Sequence, residues 1–422
     1  MNLVQKLLSA ATVVVAVVIA GYVVRSVLAE APPIRVGVLH SLTGSMAISE
    51  RSLVDAVQLA IAEINEAGGV LGRTVEAVVA DGRSDADVFA REAERLIHDE
   101  RVSVVIGCWT SASRKSVKPI VERYHHLMLY PLQHEGLEES PNIIYLGASP
   151  NQQIVPALKW TIGNLGRRVF LVGSDDVFPH AANAIIRDQL AKWRGEVVGE
   201  AYVAPGGGSV DSVDHIVQAI GAARPDAILN TLNGDANVAF LMALRRAGIT
   251  ARQTPTMSFS IAEEELSNLP RGIAAGDYAA WTYFQSVDLP TNDAFVRAFR
   301  RKYGEQRVTD DPIATAYVGV KLWARAVEAA GTPAPDAVRR TIVDRGYRGP
   351  VGLIFIDGDN RHAWKTVRIG RVRTDGQFEV VWSSERPVRP IPYPAGRTRE
   401  QWDGFLRNLH QQWGSRWFNP VR

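Results

Sequence analysis

The stretch Gly107-Cys108-Trp109-Thr110-Ser111-Ala112-Ser113-Arg114-Lys115 sets a thiol, an indole, three hydroxyls and two cations side by side. It follows the apolar run Val102-Ser103-Val104-Val105-Ile106. Three chemistries could use such a set: a nucleophile, an anion cradle, or a seat for a neutral ligand. A cysteine nucleophile needs a polar, partly exposed setting that favours the thiolate. Cys108 continues a buried-type strand, so it reads as a small core hydrophobe. Ser111 or Ser113 can cap the helix that follows, leaving first-turn N–H groups for a ligand oxygen. Arg114 and Lys115 stand at the wrong end of that helix for its dipole. They are expected to face solvent or a neighbouring lobe. With Cys108 turned inward, strand alternation turns Trp109 toward a cleft, where an indole gives an apolar wall with one donor.

Other chemistry-bearing stretches are weaker. No G-x-S-x-G nucleophile elbow occurs. Tyr124-His125-His126-Leu127-Met128 and Gln133-His134-Glu135-Gly136 lack the i, i+4 spacing of a helical metal pair, so these histidines read as packed or solvated. Pro205-Gly206-Gly207-Gly208-Ser209 has no following Lys-Ser/Thr and reads as a loop rather than a phosphate cradle. Asp357-Gly358-Asp359-Asn360 lacks the downstream glutamate of a calcium loop and reads as a hairpin turn. No catalytic residue, metal or cofactor is expected.

These residues must be positioned by elements, and the chain has room for two domains of them. It has 422 residues, 46% hydrophobic and 22% charged, with a net charge of +2. Basic residues are interspersed with acidic ones, which argues against nucleic acid as a partner. One cysteine excludes an internal disulfide. Lys6 precedes the uncharged, mostly apolar run Leu7 to Val24, and Ala29-Glu30-Ala31 offers a small-x-small site. Segment 1–31 is therefore an export signal or a membrane anchor through residues 7–24, and the rest is expected in the periplasm or another extracytoplasmic space.

Beyond it, β-branched runs alternate with helix-period segments. Strands are expected at 34–39, 74–81, 102–107, 168–174, 196–203 and 226–232. Helices are expected at 53–66, 85–98, after 110, and near 180–193, 210–222 and 235–247. Longer helices follow at 291–303 and 312–330, then a β-rich end and a tail from Pro387 expected to wrap the surface. This rhythm predicts an α/β protein of two doubly wound, Rossmann-like lobes. Ligands of open α/β sheets sit beyond the carboxyl ends of the strands. That selects His40-Ser41, the 107–115 stretch, Tyr130 to Gln133, Ser174 to Asp176, Asn230 to Asn233, and Ser258 to Ser260.

The motifs "GCWTSASRKSVKPIVE", "YPLQHEGLEESPNIIYLGASPNQQ", "NTLNGDANVAF", "SFSIAEEEL", "GDYAAWTYFQSVD" and "DDPIATAYVGVKLWARAVEAAG" lie in order along the chain. Over 34–390 the sequence resembles the substrate-binding proteins of urea ABC transporters, type I periplasmic binding proteins related to short-chain amide binders. The resemblance implies a three-crossover hinge, with lobe I formed by 32–148 plus 283–349, lobe II by 149–282 plus 350–386, and a tail at 387–422. It implies capture of urea or a short-chain amide and delivery to ABC permease subunits. Ligand contacts would fall on Trp109, Ser111, Tyr130, Gln133 and Ser260, with Asp176, Phe178 and Asn233 facing them from the second lobe. The chain departs from the family's "GSDYVFPR" at Asp176 and His180, and from its "QYEG" at His134. An aspartate in the cleft favours a donor-rich ligand such as urea, and also a guanidinium or amine. The rival reading is a membrane-anchored sensor of the same ligands; an amidase would need a nucleophile or metal site that the motifs do not supply.

Overall fold

A computed structural model describes residues 31–204 and 209–420. The segment expected to direct export, and most of the 205–209 loop, lie outside the described residues. The chain begins with β1 (Ile34–His40), α1 (Ala47–Glu66), β2 (Val75–Asp81), α2 (Ala86–His98), β3 (Val105–Gly107), α3 (Ser111–Arg123), β4 (Met128–Tyr130) and β5 (Ile143–Tyr145). These strands form a parallel sheet in the order β2-β1-β3-β4-β5. Helix periodicity explains α1: Leu53, Val57, Ile61 and Ile64 lie along one stripe and are buried. Asp85 starts α2, its side chain accepting the N–H groups of Asp87 and Val88.

The chain then crosses to a second sheet. It runs through α4 (Ile154–Asn164), β6 (Arg168–Ser174), α5 (Val177–Trp193), β7 (Glu196–Val203), α6 (Val210–Ala223), β8 (Ala227–Thr231), α7 (Asp235–Arg246), β9 (Thr256–Ser258), α8 (Glu263–Ser267) and β10 (Tyr278–Trp281). It returns to the first lobe with α9 (Pro290–Tyr303), α10 (Asp311–Ala330), α11 (Pro335–Thr341) and a small sheet of β11 (Gly346–Gly349), β12 (Gly352–Ile356) and β13 (Ala363–Trp364). A third passage leads to β14 (Arg368–Val372) and β15 (Phe378–Ser383), and α12 (Arg399–Gln412) lies in the tail. The second sheet has the order β15-β14-β10-β9-β8-β6-β7, antiparallel only at β14 and β15.

Three passages between two parallel-core sheets match the expected α/β architecture. The third passage lies later than expected. Ile354, Ile356 and Ala363 are buried with the core of α1 and α10, so residues 350–364 pack with the first lobe rather than the second. Asp357 accepts the N–H groups of Asp359 and Asn360, closing the turn between β12 and β13 as expected. Four helices were not legible in the periodicity: α4, the short α8 and α11, and α12, whose Trp402, Leu406 and Leu409 are buried against α5.

Candidate functional site

The two sheets point their carboxyl ends at one another. A cavity of about 710 Å³ lies between them. Ser41 and Glu50 wall it from the β1–α1 side, and Thr110, Ala112 and Ser113 from the start of α3. Ser174, Asp176, Asn233 and Asp235 face them from the ends of β6 and β8. This is where open α/β sheets bind ligands. A smaller hollow of about 330 Å³ beside α8 lies away from those strand ends. Gly234, at φ +58°, lets the second lobe close: any side chain there would meet the Ser45 carbonyl of the first.

At the start of α3 the cap is Thr110, not Ser111 or Ser113. Its hydroxyl accepts the Ser113 N–H at 3.1 Å. Ser111 instead donates to Glu135 and accepts from Arg114 Nη1 at 3.0 Å. Arg114 and Lys115 do not face solvent. Arg114 Nη2 lies 3.0 Å from Glu135 and its Nε 3.0 Å from Glu138, while Lys115 Nζ lies 3.0 Å from Glu138. All four charges are buried. Burial alone would raise the Glu138 carboxyl, but Lys115 and Arg114 hold it far below the ordinary range. The reason for the misplacement is a long-range pairing: Glu135 and Glu138, in the β4–β5 loop, neutralise two cations that the helix dipole alone would send outward. Cys108 is buried, and burial pushes its thiol up, away from the thiolate.

Deeper in the first lobe, the Tyr130 hydroxyl donates to the Trp109 carbonyl at 2.6 Å and lies 3.3 Å from that of Gln133. Trp109 is packed in the first core rather than on the cavity wall. Gln133 crosses the cleft, its Nε2 donating to Phe259 O at 3.1 Å and Ser260 Oγ at 3.2 Å. Trp109 Nε1 and Gln133 Oε1 are buried, with no hydrogen-bond partner among the described residues. The same holds for His40 Nε2, whose Nδ1 lies 3.1 Å from Glu50.

On the opposite wall Asp176 caps α5, its Oδ1 accepting the Phe178 N–H at 3.0 Å. It is only 7% exposed, so this cap is part of the cavity rather than of the surface. Burial pushes its carboxyl up to about 7; hydrogen bonds from Phe178 N–H and Asn233 oppose that shift, and Glu135 across the cleft adds to it. Phe178 itself is buried beneath α5 in the second-lobe core and does not wall the cavity. His134 is stacked on Tyr145 and His362, a core role.

The structure therefore gathers the expected residues into two groups. Asp176 and Asn233 line the cavity, while Trp109, Ser111, Tyr130, Gln133 and Ser260 form a buried polar layer behind α3. Sequence reasoning missed Glu50, the Arg83–Asp87 turn, and Arg416 with Phe418 from the tail. Glu50 had a signal, since it stands in the first turn of α1, where an acid suits the helix dipole. The tail had none.

A family model described as periplasmic binding protein domain matches residues 34–399. Among curated proteins, a 119-residue stretch is 34% identical to limonene hydroxylase of Geobacillus stearothermophilus, covering 28% of this chain and only 22% of that protein. Leu/Ile/Val-binding protein homolog 6 of Brucella melitensis is 23% identical over 82% of the chain and 88% of its own length. Among solved structures, a Rhodopseudomonas palustris ABC transporter solute binding protein in complex with 3,4-dihydroxybenzoic acid superposes with a TM-score of 0.75. It is 19% identical, over 85% of this chain and 98% of that one. A Streptococcus pneumoniae branched-chain amino acid transporter substrate binding protein in complex with isoleucine gives a TM-score of 0.73. It is 20% identical, over 85% of this chain and 100% of that one.

Proposed function

Because the chain belongs to the periplasmic binding protein domain family, it is an extracytoplasmic solute-binding protein and not an enzyme, and we propose that its solute is urea or a short-chain amide. The observation that carries this reading is the acceptor-rich wall of the interlobe cavity, where Ser41, Thr110 and Ser113 of the first lobe face Asp176 and Asn233 of the second. A small amide suits such a wall, because its N–H groups donate to carboxylate and amide oxygens while its carbonyl accepts from hydroxyls. Glu50 supplies a further acceptor for a donor-rich solute. Behind α3 the Gln133–Ser260 hydrogen bond joins the lobes, so that a solute held between both walls and lobe closure reinforce one another.

The ligand's delivery is to the permease subunits of an ABC transporter. Segment 7–24 directs export, and intact-mass measurement of the exported protein decides whether it also serves as an anchor. Titration calorimetry with urea, acetamide, guanidinium chloride, isoleucine and 4-hydroxybenzoate tests the ligand class. Urea or acetamide is expected to bind at millimolar concentration or tighter, and the two carboxylates not at all. Binding of isoleucine or 4-hydroxybenzoate with no response to urea or acetamide would overturn the reading.

A further inference from the structure

The tail from Pro387 does more than cover a surface. After pairing Val388 with Lys365, it fastens to the loop between β4 and β5 of the first lobe. The Leu137 N–H donates to the Pro392 carbonyl at 2.8 Å, and Arg399 pairs with Glu139 at 2.9 Å. Gly136, at φ +68°, permits this approach, since a Cβ there would collide with the same Pro392 carbonyl. The tail then fastens to the second lobe. Arg397 grips Asp188 of α5 with two hydrogen bonds of 2.7 and 2.8 Å, a bidentate geometry. The apolar face of α12 buries Trp402 and Leu406 against α5.

Beyond the turn at Gly414 the chain doubles back as an extended segment along the first residues of α5. The Val177 N–H donates to Trp417 O at 3.0 Å, and the Asn419 N–H donates to Asp175 O at 2.9 Å. An isolated antiparallel bridge joins Asp176 to Phe418. This pairing carries Arg416 and Phe418 into the wall of the interlobe cavity. It also sets the Trp417 ring 5.0 Å from Lys115 Nζ, a cation of the first lobe.

We propose that residues 416–419 are a third component of the ligand site, in which Phe418 closes one side of the cavity and Arg416 biases it against cationic solutes. The backbone pairing at 175–177 and 417–419 fixes Phe418 beside Asp176, so the ring excludes water from the carboxylate that meets the solute. Arg416 adds a second positive charge, beside Arg83, to a cavity wall that also carries Glu50, Asp85, Asp87, Asp176 and Asp235. Arg416 therefore weakens the attraction of this wall for a guanidinium ion and leaves neutral urea unaffected.

The proposal rests on the functional reading only for its probes. Calorimetry of the exported chain with urea and with guanidinium chloride compares wild type, Phe418→Ala and Arg416→Ala. Phe418→Ala is expected to lose about tenfold or more in urea affinity with its melting temperature held. Arg416→Ala is expected to shift the guanidinium-to-urea affinity ratio at least about threefold toward guanidinium. Unchanged affinities in both variants would overturn the proposal. If wild type binds neither probe, the functional reading falls, and the tail is judged by hydrogen exchange instead. Truncation after Gly414 should then speed exchange at residues 111–113, across the cavity in the other lobe. Faster exchange confined to 175–178 would show that the tail only covers α5, and the proposal would fail.

Discussion

Asp176 is the residue on which ligand class turns. Its carboxyl is held up to about 7 because burial disfavours its charge. A cation binds the ionised form, so guanidinium affinity should rise with pH through 7 and fall by up to about tenfold per unit below it. Urea can donate to either form, and its affinity should change no more than a few fold over the same range. Asp176→Asn removes the ionisable group while keeping an acceptor for Phe178 N–H. It should flatten the guanidinium pH profile and weaken guanidinium at pH 8 by about tenfold or more, with urea weakened far less. Calorimetry at pH 6, 7 and 8 reads all three effects. The two positions in this segment that depart from the pattern of the urea-transporter binding proteins the sequence resembles both touch the tail. Asp176 bridges Phe418, and His180 stacks on Tyr202 and meets the edge of Trp413.

At the scale of elements, α3 is held by charge as much as by packing. Arg114 and Lys115 are balanced by Glu135 and Glu138, and Tyr145 donates to Glu138 at 2.9 Å. Removing one member of a buried, neutral set leaves an unpaired charge. Glu138→Gln should therefore destabilise the fold by roughly 3–5 kcal/mol. Adding Lys115→Met should recover part of that loss. Scanning calorimetry measures both, and additive losses in the double variant would contradict the pairing. Most of this architecture could be read from the sequence, because β-branched runs and helical periodicity mark β1, β6, β7, α9 and α10 closely, and α1 at its C-terminal end though not over its first six residues. Ser174, Asp176 and Asn233 were legible as strand-end residues. What could not be read were long-range partners. Nothing local to Arg114 tells that Glu135 and Glu138 fold back on it. Nor does the tail's own sequence tell that it ends beside α5. The short strands β4, β9 and β10 are too brief for periodicity to mark.

At the scale of the whole molecule, closure is built from contacts that hold protons. Ser49 and Ser52 of α1 donate to Glu265 and Glu264 of α8 at 2.6 and 2.7 Å, joining one lobe to the other. Burial pushes Glu263 up to about 8, and raises Glu264 and Glu265 as well. Neighbouring carboxylates add to the effect, and Arg307 offsets part of it at Glu264. Asp310, facing the same cluster, is raised for the same reason. A carboxyl raised in the closed, folded state binds more protons there than in the unfolded chain, where it titrates at about 4, and than in an open state that returns it to water. Its stabilising contribution is thus complete below about pH 4 and is lost as pH rises through 7 to 8. Each such group changes stability by at most about 1.4 kcal/mol per pH unit within that window. The ligand-free protein should accordingly be more stable and more closed at pH 6 than at pH 8.5. Small-angle X-ray scattering should give a larger radius of gyration at the higher pH, and Glu265→Gln should shrink that difference, because a neutral amide has no proton to release. An equal radius at both pH values would show that the α1–α8 contacts do not govern closure.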